Sequence, residues 1–170
     1  RGSLGTAGGT QVDGVRIIGQ SIVRSTSTLN LPNQGEILID GFGGRGAGVY
    51  IDPFGVAGDI IKSQSGNITI TGQGGNLGNG GIQAYGVALG NGPRVVAANG
   101  ASVSITGTAG IGGSSPGIGV GSGTVLAFSG NIALTGVGGT TTTGTFNSGI
   151  ESTGGVFQST NGTVSLTGTG

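Results

Sequence analysis

The sequence predicts an all-β chain folded as a right-handed parallel β-helix, a three-sided β-solenoid of about five coils with roughly 30 residues each. Three observations carry this prediction. Glycine makes up 44 of the 170 residues, and Thr, Ser and Asn are also frequent. These residues are poor helix formers, so strands and turns are favoured over helices. The apolar residues fall in short, mostly β-branched clusters that recur in a fixed order along the chain.

The first repeated element has the pattern apolar-x-apolar-Thr-Gly and is predicted to be a strand. Its copies end at Gly41, Gly72, Gly107, Gly136 and Gly168, with spacings of 31, 35, 29 and 32 residues, and the copy that ends at Gly41 has Asp in place of Thr. Strand alternation turns both apolar positions inward. The predicted core ladder is therefore Ile37, Ile39, Ile68, Ile70, Val103, Ile105, Ile132, Leu134, Val164 and Leu166. We expect the closing glycines to turn a corner with positive φ.

Two further elements complete each coil. The second has glycine, an apolar residue, a variable one and then an apolar or small one, at Gly14–Ile17, Gly48–Ile51, Gly81–Ala84, Gly117–Val120 and Gly149–Ser152. The third has two apolar residues and a variable one, at Ile22–Arg24, Ile60–Lys62, Val95–Ala97, Val125–Ala127 and Val156–Gln158. The four prolines fall outside these elements, as expected for a residue that cannot donate to a ladder.

Three strands per coil with no helix between them can pair only in parallel, from one coil to the next, which defines the solenoid. The crossover rule for parallel strands gives its right-handed winding. We expect one segment over residues 1–170, with coils at about 1–34, 35–65, 66–99, 100–129 and 130–161 and the start of another at 162–170. Because no polar cap closes either end of the pattern, we interpret the segment as an internal part of a longer repeat protein.

The third strand allows two orientations. If it is extended, its second apolar column faces inward and its first column forms an exposed apolar stripe along the rod, which is a candidate lateral interface. That column is Ile22, Ile60, Val95, Val125 and Val156. The alternative is a bend at a corner that turns both columns toward the core.

Composition excludes several classes of site. The chain has no Cys, His, Met or Trp, so we expect no cofactor, no catalytic residues and no metal ligands of the usual kinds. Six basic and six acidic residues balance, which argues against a nucleic-acid partner. No apolar run is long enough for membrane insertion. The glycine string from Gly41 to Gly46 matches a dinucleotide-binding pattern, but a predicted strand follows it where that site needs a helix.

The run Gly66-Asn67-Ile68-Thr69-Ile70-Thr71-Gly72, echoed from Gly130 onward, resembles repeats of the giant bacterial repeat adhesins. These are the filamentous-haemagglutinin-like surface proteins with β-helical repeats. The resemblance covers about residues 35–170, and residues 1–34 are a more degenerate coil. It implies an extracellular or cell-surface rod of a bacterium, and it supplies no catalytic residues.

We therefore expect a structural repeat region of an extracellular fibre, a stalk, sheath or adhesin that acts through shape and self-association. The rods would stack end to end or bundle laterally. An alternative is a module that binds a glycan or another cell-surface ligand through its Gly/Asn/Thr-rich loops.

A further alternative is a β-helical carbohydrate-active enzyme, which needs carboxylates that meet on adjacent coils. Asp13, Asp40, Asp52, Asp59 and Glu151 fall in different columns of the alignment, which favours a solvated surface. The outward column that contains Glu151 is formed by Arg16, Tyr50, Gln83, Gly119 and Glu151 and is unrelated to the column of Asp40. Ice binding would need a flat outward array of Thr, and the outward column that contains Thr69 holds no other Thr.

Overall fold

The computed structural model describes residues 12–27, 34–54, 58–76, 84–112, 115–140 and 147–170. Within these ranges the chain forms strands and no helix. In chain order the strands are β1 (Val15–Ile18), β2 (Val23–Ser25), β3 (Ile37–Phe42), β4 (Val49–Asp52), β5 (Gly58–Ser63), β6 (Ile68–Gln73), β7 (Val87–Leu89), β8 (Pro93–Ala97), β9 (Val103–Thr108), β10 (Ile118–Val120), β11 (Thr124–Ala127), β12 (Ile132–Val137), β13 (Ile150–Ser152), β14 (Val156–Ser159) and β15 (Val164–Thr169).

The strands form three five-stranded sheets. Counted from β1, each coil is three consecutive strands, from β1-β2-β3 in the first to β13-β14-β15 in the fifth, and each coil contributes one strand to each sheet. Sheet I has the order β1-β4-β7-β10-β13, sheet II β2-β5-β8-β11-β14, and sheet III β3-β6-β9-β12-β15. All neighbouring strands run parallel. The predicted all-β, three-sided β-helix is thus confirmed. No described residue belongs to a helix long and apolar enough to span a membrane.

Sheet III runs through all five coils without a register shift. Ile37, Ile68, Val103, Ile132 and Val164 stack in one inward file, and Ile39, Ile70, Ile105, Leu134 and Leu166 stack in the next. In the first four coils these side chains are at most 8 % exposed. In β15, which pairs on one side only, Val164 and Leu166 are 42 % and 51 % exposed.

Sheet II corrects the expected exposed stripe. Its inward file is Val23, Ile61, Val95, Val125 and Phe157. Of the five stripe residues, Ile60, Val95 and Val125 are at most 4 % exposed and belong to the core, and only Ile22 and Val156 are largely exposed. A register shift between Asp59 and Ile61 in β5 inserts one residue, so both Ile60 and Ile61 reach the core. The prediction of a continuous exposed apolar stripe along the rod is therefore wrong.

Sheet I differs from the prediction in the third coil. Residues 81–83 of the predicted strand Gly81–Ala84 lie outside the described residues, and the ladder position is filled by β7, which pairs with β4 and β10. Pro93 was expected outside the strands but begins β8, a position that needs no ladder donor.

Two files of glycine meet at the corner between sheets III and I. A Cβ on Gly72 would overlap the carbonyl oxygen of Gly86, and a Cβ on Gly107 would overlap that of Gly117. Neither closing glycine has a positive φ, so the expectation that these glycines turn a corner with positive φ is wrong. They are glycine because two backbones lie in contact where a side chain would stand.

The outer face of sheet III has one regular polar file, and the files that flank it include the exposed apolar residues Leu38, Phe42 and Val137. Its middle outward file is Asp40, Thr71, Thr106, Thr135 and Thr167, all exposed. The sequence argument against an outward Thr array considered only the neighbouring column of Thr69, and for this column it is wrong. At the start of the same strands, side chains link successive coils, since Asn67 Oδ1 accepts a hydrogen bond from the Ser102 backbone N–H at 2.9 Å.

Candidate functional site

The outer face of sheet I contains a half-open trough of about 360 Å³. Its floor is formed where the third and fourth coils carry almost no outward side chains. Ala88 and Gly119 are ladder partners in one outward file. Gly90 and Gly121 continue the next file, because the Gly121 N–H donates to the Leu89 carbonyl and the Gly90 N–H donates to the Ile51 carbonyl, both at 2.8 Å. The loss of side chains in two consecutive coils creates the depression.

Larger side chains from the coils on either side form the walls. Tyr50 precedes Ala88 in the first outward file, and Glu151 follows Gly119. Three coil steps separate Tyr50 from Glu151, which at about 4.8 Å per step places their backbones about 14 Å apart. In the second file Asp52 and Thr153 stand at the corresponding positions. The trough therefore lies between one Tyr/Asp wall and one Glu/Thr wall.

The Tyr/Asp wall is fixed by hydrogen bonds. The Tyr50 hydroxyl donates to Asp52 Oδ2 at 3.0 Å, and the Phe54 backbone N–H donates to Asp52 Oδ1 at 2.7 Å. Asp52 is only 7 % exposed. A Cβ on Gly90 would lie 2.5 Å from Asp52 Oδ2, so glycine there leaves room for the carboxylate. These hydrogen bonds fix the position of the carboxylate, which lowers the entropic cost of binding a ligand to it.

Arg16 packs on the outer side of this wall, in the first coil. Its guanidinium lies 5.3 Å from the centre of the Tyr50 ring, within the range of a cation–π interaction. Its Nε is 3.8 Å from Asp13 Oδ2. Burial, followed by the hydrogen bond to Asp52, raises the pKa of the Tyr50 phenol above its usual range. The phenol therefore stays a neutral donor to the carboxylate.

Tyr85 and Asn91 border the trough from the segments before and after β7. The Tyr85 ring lies against the backbone of Gly119, because a Cβ there would be 2.6 Å from Tyr85 Cε1. Burial raises the pKa of the Tyr85 phenol, and the negative charge of Glu151 adds to this rise. The negative charge of Glu151 thus acts on the Tyr85 phenol inside the trough.

The trough combines two aromatic rings and two carboxylates, and no Lys or Arg lines it among the described residues. The described part of the chain, the trough included, contains no group of three or more His, Cys, Asp or Glu side chains placed to share a metal ion.

Sequence reasoning found part of this site. It placed Arg16, Tyr50, Gly119 and Glu151 in one outward column, as the ladder does, but it put Gln83 in the third coil where the structure has Ala88. Gln83 and the side chain of Asp59 lie outside the described residues. The prediction that the carboxylates fall in unrelated columns missed that Asp52 and Glu151 line one cavity. The sequence signal for this cavity was the small outward residues in two successive coils, between the coil with Tyr50 and Asp52 and the coil with Glu151 and Thr153.

Comparison of the chain with protein-family models, curated proteins and solved structures finds no match.

Proposed function

We propose that this chain is a structural segment of a bacterial extracellular fibre, a stalk, sheath or adhesin, that works through its shape and through stacking of coils. The single observation that supports this most is the uniform coil-to-coil register of sheet III. Each coil presents to the next the same two apolar positions and the same row of ladder groups. A surface that repeats in this way accepts further coils of the same kind without a change of geometry.

The last described strand keeps the same pattern. Val164 and Leu166 occupy the two apolar file positions of β15, in register with Ile132 and Leu134 of β12. The extracellular location rests on the resemblance of the Gly66–Gly72 repeat to surface adhesins.

Association tests the proposal directly. We expect the chain to form end-to-end oligomers as its concentration rises, measured by sedimentation velocity and seen as short rods in negative-stain electron microscopy. Leu166→Asp places a charge in the exposed core file and should abolish this association. Thr167→Asp, on the outward face of the same strand, is the matched control and should leave it unchanged.

Two results would contradict the proposal. One is equal association of the Leu166→Asp and Thr167→Asp variants, which would place the contact elsewhere. The other is immunogold labelling of thin-sectioned source cells that finds the chain only in the cell interior.

A further inference from the structure

The trough on sheet I offers chemistry that a purely structural rod does not need. The middle outward file of sheet III carries Asp40 and four threonines, whereas here two aromatic rings and two carboxylates border one depression floored by small residues. Tyr50 and Asp52 are held against each other by a hydrogen bond. Tyr85 is held over Gly119 by packing. The walls are therefore positioned by contacts within the chain itself.

Charge decides which class of ligand this arrangement favours. Asp52 and Glu151 give the lining a formal charge of −2 when both are ionised, and the nearest described cation that faces the same sheet, Arg16, lies beyond Tyr50 on the far side of the wall. The pKa of each tyrosine is raised in part by one of these carboxylates, which reflects a negative potential at the rings. An aromatic ring also attracts cations through its face. A positively charged group is the complementary occupant.

The other residues that line the trough indicate what kind of molecule carries this positive charge. Asn91 and Thr153 supply an amide and a hydroxyl at the rim, and both can donate and accept hydrogen bonds. Gly121 has no side chain and is partly exposed, so a ligand ring can lie over it beside the Tyr85 ring that covers Gly119. A ligand with several hydroxyls and one flat apolar face uses the rim, the floor and the tyrosine rings together. A simple alkylamine uses only the carboxylates.

We propose that the trough binds a hexosamine unit with a free, protonated amine, within a polysaccharide chain. The amine lies between Asp52 and Glu151, the sugar ring packs against Tyr85, and the hydroxyls bind Asn91 and Thr153. Because the trough is half-open, the neighbouring sugars of the chain continue past it into solvent. This inference does not depend on the fibre proposal, since coils two to five build the whole site.

The tyrosines provide a direct assay. They are the chain's two tyrosines, and the chain has no tryptophan, so its intrinsic fluorescence above the phenylalanine range comes from the trough walls. We expect glucosamine oligomers to change this emission in a saturable titration, with affinity confirmed by calorimetry. N-acetylglucosamine oligomers of the same length should bind at least about tenfold more weakly, because acetylation removes the charge. Added salt should weaken the binding of the amine form.

Matched variants localise the effect. The chain has two glutamates, and Glu36 is exposed and does not line the trough. Glu151→Gln should weaken glucosamine-oligomer binding about tenfold, and Glu36→Gln should leave it unchanged. Circular dichroism and the thermal midpoint of each variant check that the fold is retained, and the fluorescence titration of the unmodified chain stands even if a variant fails to fold.

Several outcomes would overturn the inference. Equal affinity for the amine and acetylated oligomers removes the role of charge. Equal affinity for spermidine and the glucosamine oligomer removes the role of the sugar. An equal effect of Glu36→Gln and Glu151→Gln places binding outside the trough, and the absence of any saturable change at millimolar oligomer rejects the site.

Discussion

Two leucines in one core file test whether stacking of coils stabilises the fold. Leu134 and Leu166 are ladder partners in sheet III, with the same side chain and the same inward direction. Leu134 is 1 % exposed, because coils lie on both sides of it, and Leu166 is 51 % exposed, because no described strand covers β15. Replacing each by alanine therefore compares a covered and a half-covered position in otherwise equal surroundings.

The expected costs follow from burial. Leu134→Ala removes fully buried carbon atoms and leaves a cavity, and it should lower the free energy of unfolding by about 2–5 kcal/mol. Leu166 is about half exposed, so only about half of the free energy of transferring its side chain from water into the core is at stake, and no closed cavity forms. The cost of Leu166→Ala should therefore be about 1 kcal/mol. The difference measures what one neighbouring coil contributes at one position.

Urea unfolding followed by far-ultraviolet circular dichroism gives both values, at concentrations where sedimentation shows a monomer. Thr135→Ala, on the exposed face beside Leu134, is the control and should change stability by less than about 0.5 kcal/mol. Equal costs for Leu134→Ala and Leu166→Ala would refute the argument that coil-on-coil burial stabilises the rod.

Three further predictions follow from the corner glycines and the tyrosines. Gly107→Ala should lower the urea midpoint by the equivalent of at least about 1–3 kcal/mol, since its Cβ would overlap backbone. Gly154→Ala should change stability by less than about 0.5 kcal/mol, because its Cβ would make only ordinary van der Waals contacts, the nearest with the Gly121 carbonyl oxygen at 3.7 Å. Glu151→Gln should lower the pKa of Tyr85 toward its ordinary value of 10.0, measured by phenolate absorbance during alkaline titration, and an unchanged titration curve would contradict the placement of Glu151. Because folding raises the pKa values of both Tyr50 and Tyr85, their contribution to stability should be complete below pH 10.0 and be lost as pH rises through the folded values. Urea midpoints that stay constant across that range would refute this last prediction.

The fold was predictable because sheet III carries an unambiguous pattern. In Ile68-Thr69-Ile70-Thr71 only one assignment buries both isoleucines, and a slip of one residue would expose them. The third strands lack this property. Val95 and Val96 are adjacent and both apolar, so the sequence alone fits two registers equally well, and only pairing with Val125 decides between them.

The trough was less predictable because it depends on details of the third coil. Two stretches there match the second element, one beginning at Gly81 and one at Gly86, and they differ in which residue faces outward beside Gly119. Tyr85 and Asn91 come from segments outside the strands, so no periodicity places them. Outward small residues in two successive coils were visible in the sequence, but their meaning depends on the side chains of the coils that flank them.

The direction of the ladder hydrogen bonds has a mechanical consequence. They run along the rod, and equivalent positions 29 to 35 residues apart in the chain are direct ladder partners. A coil that peels away under tension frees about 30 residues, or about 100 Å of extended chain at about 3.3–3.6 Å per residue. The rod itself shortens by only about 4.8 Å. Pulling at its ends should therefore lengthen the molecule in discrete steps, each of which replaces about 4.8 Å of rod by about 100 Å of chain, about a twentyfold gain for the coil released.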